Sequence, residues 1–124
     1  MRYPSLIVLL LIVASCNKPA YKYNEEFVGV WRTIPVYDDL LNTEVMSEIV
    51  IEGEDGTFKN ACNPCGQDLC NCLNYQVGKA VMNSNRSQIR IGSSGFALTI
   101  QEEPNKDANG VWRMKVQNLV YYRQ

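Results

Sequence analysis

The sequence contains no histidine, and that absence removes more chemistry than any other feature. Without imidazole there is no Ser-His-Asp or Cys-His nucleophile system, no nitrogen ligand for a transition metal, and no side chain that ordinarily titrates near neutrality. A dominant charge sign is also missing. Lys and Arg number 12 against 13 Asp and Glu, so nothing draws the chain to the phosphates of nucleic acid. No apolar run reaches the ~20 residues of a membrane-spanning helix. No helical stretch is long enough for a βαβ crossover, which excludes a parallel sheet. Hydrophobic residues still fill 46% of the 124 positions, enough for one folded domain rather than a disordered chain.

The charged residues offer no obvious chemistry. Glu25-Glu26, Asp38-Asp39, Glu52 with Glu54 and Asp55, and Glu102-Glu103 fall in a linker or in turns, where solvated acids are expected. Neither residues 52–56 nor residues 105–110 complete the D-x-[DN]-x-[DN]-G pattern of a calcium loop. Arg86, Arg90 and Arg113 are expected on outward strand faces as solubilising charges. No catalytic residue and no cofactor is expected, and the chain does not read as an enzyme.

What is present begins with an export pattern. Arg2 supplies a positive head, residues 6–14 form an apolar run, and Ser15-Cys16 follow. The four residues Val13-Ala14-Ser15-Cys16 resemble the bacterial lipobox: an aliphatic residue, two small ones, then the cysteine that is modified. That resemblance implies that residues 1–15 are a lipoprotein signal peptide. It also implies that Cys16, as the new N-terminus, carries a thioether-linked diacylglycerol and an amide-linked acyl chain. Each buried methylene contributes about 0.8 kcal/mol, so two or more chains give a stable anchor. Asn17 differs from the Asp that signals inner-membrane retention in some bacteria, so the expected location is the cell envelope at the outer membrane. Residues 16–26 are polar, contain Pro19 and lack hydrophobic periodicity, which predicts a flexible tether that does not pack. Tyr21 and Tyr23 are expected as exposed linker residues or in the lipid interface.

From residue 27 onward the signals are β. Residues 27–34 are rich in β-branched and aromatic side chains. Residues 45–52 alternate, with Val45, Ile49 and Ile51 on one face and Glu48 and Glu52 on the other. Gly53-Glu54-Asp55-Gly56 predicts a hairpin turn into residues 57–61. Further short strands are expected at residues 73–77, 80–82, 88–91, 96–100, 111–116 and 119–122, with Phe96, Leu98 and Ile100 inward and residues 103–110 as a loop. The polar connection at residues 37–43 has room for one helical turn at residues 38–41. The spacing predicts an all-β domain over residues 27–124, a small antiparallel meander β-barrel of about eight short strands. Strands of about 5–7 residues would make it squat, with little interior beyond its own side chains.

Phe27-Val28-Gly29-Val30-Trp31-Arg32 resembles the opening strand of lipocalin-like barrels, Asp55-Gly56-Thr57-Phe58 resembles their DGT-F hairpin, and residues 119–123 are similar to the last strand of small bacterial lipocalin-like lipoproteins. The family implies a closed barrel in which Gly29 allows close approach and Trp31 plugs one end. Trp31, Phe58, Phe96 and Trp112 are the residues that could line a pocket, although most such aromatics are plain core. A second, weaker resemblance is to META-type envelope domains, through Cys62-Asn63 after a hairpin.

Cys62, Cys65, Cys70 and Cys72 fall within eleven residues, spaced C-x2-C-x4-C-x-C. An even number in an exported chain points to disulfides. A hairpin centred near Gln67 sets Cys65 opposite Cys70 and Cys62 nearly opposite Cys72, which favours that nested pairing among three possible connectivities. The alternative is a metal site in which the four thiolates surround a soft ion. The functional expectation is an envelope lipoprotein acting as a non-enzymatic binding or structural accessory module at the membrane surface. Two alternatives stay open: a carrier of a small apolar ligand in the barrel, and a thiolate metal-binding protein. The expected partners are the membrane itself and an unidentified apolar ligand or envelope protein.

Overall fold

The computed structural model describes residues 17–93 and 95–124; residues 1–15, expected to be a signal peptide, and Cys16 lie outside the described residues. The chain runs through β1 (Lys18–Pro19), a short helix α1 (Ala20–Tyr23), a 3-10 turn (Glu25–Phe27), β2 (Gly29–Arg32), β3 (Val36–Asp38), β4 (Thr43–Glu52) and β5 (Asp55–Cys65). It continues through β6 (Asp68–Met82), β7 (Gln88–Ile91), β8 (Leu98–Lys106), β9 (Trp112–Val116) and β10 (Leu119–Arg123). Strands β2 and β4 to β10 each pair antiparallel with the next, and β10 returns to β2 through Tyr122↔Arg32 and Arg123↔Trp31. Eight strands therefore close a barrel-like ring. Closure satisfies backbone groups that an open sheet would leave at its edges. Among the described residues no helix is long and apolar enough to cross a membrane.

The strands are less uniform than the turn spacing predicts. Strands β4, β5 and β6 have 10, 11 and 15 residues, so the ring is not built of short strands throughout. The cysteine segment is the paired tip of one long hairpin. The pairing of β4 with β5 slips between Met46 and Glu48, and that of β5 with β6 slips between Cys62 and Asn63. Residues 103–106 continue β8 rather than forming a loop. Pro104 is tolerated there because the ladder slips between Glu102 and Asn105. Residues 39–42 form a turn in place of a helical turn, and the Asp38 carboxylate accepts from the amides of Leu40 and Leu41.

The inward faces fill the ring. Phe27, Trp31, Ile49, Ile51, Phe58, Met82, Ile89, Ile91, Leu98, Met114, Val116 and Tyr121 are buried in one cluster. Gly78 and Gly92 allow β6 to bend against the exit of β7. A Cβ on Gly78 would lie 2.7 Å from the Gly92 Cα, and both glycines have positive φ, at 153° and 81°.

The segment expected to be an unpacked tether is ordered against the ring from Lys18 onward. Lys18 and Pro19 pair with Met82 and Val81 of β6. Ala20 and Phe27 are fully buried, and Tyr23 packs against the cluster. Three apolar contacts within ten residues do not form a period, yet they cover the end of the ring where β2 begins. Burying Phe27 alone contributes about 2–3 kcal/mol, which outweighs the cost of ordering a few polar neighbours.

Candidate functional site

Three arrangements surround this frame. The first closes the covered end of the ring. The Trp31 indole donates to the Phe27 carbonyl at 2.9 Å. The Arg123 guanidinium lies 4.8 Å from the Trp31 ring and 4.7 Å from the Trp112 ring, and donates to the Glu26 carbonyl and carboxylate. Gly29, with φ 146°, leaves space for that side chain: a Cβ there would sit 3.5 Å from the Arg123 Nε.

The second is a polar seam between the ring and the hairpin. The Ser47 hydroxyl donates to the Asn60 side-chain oxygen at 2.8 Å, and the Ser47 amide donates to the Thr33 hydroxyl at 2.9 Å. Tyr121 faces Ser47 from inside the ring. Burial pushes its phenol from 10.0 up to about 12, with the Ser47 hydrogen bond acting in the opposite sense. Nearby, Arg32 donates to the buried Glu48 carboxylate at 2.6 Å and to the Gln67 carbonyl at 3.2 Å, tying the hairpin tip back to β2.

The third is the hairpin of β5 and β6. Disulfides join Cys62 to Cys72 and Cys65 to Cys70, and the ladder runs to Cys65↔Asp68 around a Gly66-Gln67 turn. With all four sulfurs paired, none is a thiolate, so the metal alternative has no ligands in this state. Over residues 73–77 of β6 the usual alternation is inverted. Gln76 is in register with buried Phe58, its side-chain oxygen is buried without a hydrogen-bond partner among the described residues, and Asn74 faces Asn60. Leu73, Tyr75 and Val77 point outward and are 71%, 59% and 58% exposed. Lys59 stands 5.5 Å from the Tyr75 ring, and Lys79 is paired with Asp55 at 3.1 Å. That hydrogen bond, with the Asp55 charge behind it, holds the Lys79 ammonium above its ordinary range.

The four aromatic residues that are candidates for a pocket do not gather in one. Trp31 and Phe58 are buried core, Trp31 and Trp112 share Arg123, and Phe58 meets half-exposed Phe96 edge-on at 6.3 Å. Phe96 was expected inward on a strand, but β8 begins two residues later, at Leu98. Surface hollows lie elsewhere. One of about 400 Å3 is lined by Arg32, Ile34, Pro35, Met46 and Tyr122, and another of about 400 Å3 by Val77, Lys79, Val81, Arg90 and Gly92. Arg90 is exposed on β7, and Arg113 on β9 pairs with Glu102 at 3.6 Å. Arg86 is not on a strand; it sits in the β6–β7 turn with φ 60° and pairs with Glu103.

Reading strands by composition misses the outward stripe, because Leu73-Asn74-Tyr75-Gln76-Val77 alternates equally well in either orientation. The seam is missed because Ser47, Asn60 and Tyr121 meet only through strand pairing. Compared with known proteins, the chain matches no family model, no curated sequence and no solved structure.

Proposed function

We propose that the chain is an envelope lipoprotein, anchored through acylated Cys16 at the outer membrane. Its domain serves as a non-enzymatic binding or structural accessory module at the membrane surface. The observation that carries this reading is the pairing of all four remaining cysteines into two disulfides. Such bonds persist in an oxidising compartment, the destination that the export pattern addresses. The ring that β10 closes onto β2 supports the lipocalin-like resemblance of residues 27–32 and 119–123. The filled interior supports recognition on the outer surface over carriage of a small apolar ligand.

Expression in a bacterial host with labelled palmitate tests the reading. The wild-type chain should take up label and fractionate with outer membrane, and Cys16→Ser should lose both. An unlabelled wild-type chain recovered from the cytoplasm would overturn it.

A further inference from the structure

The outward stripe and the start of the folded domain lie on the same strand. Lys18 pairs with Met82 of β6, and only Asn17 separates Lys18 from Cys16. Two residues span at most about 7 Å. Asn17 itself lines a hollow of about 210 Å3 with Val81, Gln88 and Arg90, on the outer side of β6 and β7. An acyl anchor on Cys16 would therefore leave the chain within about 7 Å of Lys18, beside that face.

The face has matching chemistry. From Met82 back to Leu73, β6 extends about 30 Å at the usual rise of a strand. Its outward side chains are Leu73, Tyr75, Val77, Lys79 and Val81, and Arg90 stands opposite Val81. Apolar residues are turned to solvent while Asn74 and Gln76 are turned inward, an inversion that an apolar covering surface would explain. A tyrosine flanked by lysines suits the boundary of a bilayer, where the ring has an apolar body and the ammonium groups reach phosphate. Lys79 is partly balanced by Asp55 and Glu54, which leaves Lys59, beside Tyr75, and Arg90 as the cations of the face.

We propose that the outer face of β6 and β7 lies against the phospholipid surface that holds Cys16, with Leu73, Tyr75 and Val77 in the interfacial layer and Arg90 at lipid phosphate. This inference rests on the lipoprotein reading above. It assigns the domain a fixed orientation and leaves β10, across the ring, facing away from the membrane.

The test uses the full acylated chain in vesicles of phosphatidylethanolamine and phosphatidylglycerol containing acyl-brominated lipid. Tyr75→Trp places a reporter on the proposed contact, and Leu119→Trp places one on β10, where Leu119 is 43% exposed. Trp31 and Trp112 give a constant background. Emission from position 75 should shift to the blue and be quenched by bromine, while emission from position 119 should not change. In the Tyr75→Trp background, Arg90→Gln should lower the ratio of docked to free domain about fivefold. Equal quenching at both positions, or at neither, in a chain with acyl mass and vesicle association intact would overturn the orientation and leave the lipoprotein reading standing. A blue shift without quenching, together with cross-linked pairs, would assign the face to a second copy and also overturn it. A chain that lacks the acyl mass would overturn both.

Discussion

The covered end of the ring and the β5–β6 hairpin are stabilised by opposite means. At the covered end, Phe27, Trp31 and Arg123 interlock without a covalent link, because large apolar surfaces and two tryptophan faces are available there. At the hairpin tip, Asn63, Pro64, Gly66 and Gln67 offer little to bury, and two disulfides hold the strands instead. The difference teaches that cross-links appear where the chain has no apolar surface to spend on cohesion, and that near the tip Leu73, Tyr75 and Val77 are directed outward. Loss of the packed core should therefore unfold both regions, whereas loss of a cross-link should loosen the hairpin alone.

The largest expected effect is at the covered end. Trp31→Ala removes the side chain that seats Phe27 and Arg123 and should cost about 3–5 kcal/mol in urea unfolding, with both regions lost together. Replacing Cys62 and Cys72 by Ala should cost about 3 kcal/mol, close to the chain-entropy value for so short a loop. Hydrogen exchange should then accelerate in residues 60–74 while β9 and β10 keep their protection.

Tyr121 sits at the seam between the regions and makes the comparison sensitive to pH. Its phenol, raised from 10.0 to about 12 by burial, binds a proton more tightly folded than unfolded. The stabilisation is therefore complete below pH 10 and is lost as pH rises to about 12, by about 2–3 kcal/mol. Tyr121→Phe should remove this part of the alkaline loss, which denaturation midpoints measured across that pH range would reveal. The smallest effect belongs to the outward stripe. Val77→Thr should alter stability by no more than about 0.5 kcal/mol, because the side chain touches no core.

Much of the ring was legible because strand alternation reports burial directly. Ile49 and Ile51, Met114 and Val116 lie inward as their spacing predicts, and the turn at Gly53-Glu54 joins the strands expected. The ordered N-terminal segment was not legible, since Ala20 and Tyr23 lie in a short helix and Phe27 in a 3-10 turn, and no single period spans them. Strand lengths were underestimated for a related reason. Asn63, Pro64 and Gly66 carry turn chemistry, and only the pairing of Cys62 with Cys72 shows that the strands continue through them. The polar seam and the Arg123 clamp depend on residues up to 97 positions apart, which local pattern cannot connect.

The central claim is that the mature polypeptide is an acylated, disulfide-closed molecule, and intact mass spectrometry of the native chain tests it most directly. Extracted from membranes and alkylated before and after reduction, the chain should begin at Cys16 with added acyl mass and accept four alkyl groups only after reduction. A chain that retains Met1, carries no lipid, or alkylates without reduction would contradict the account.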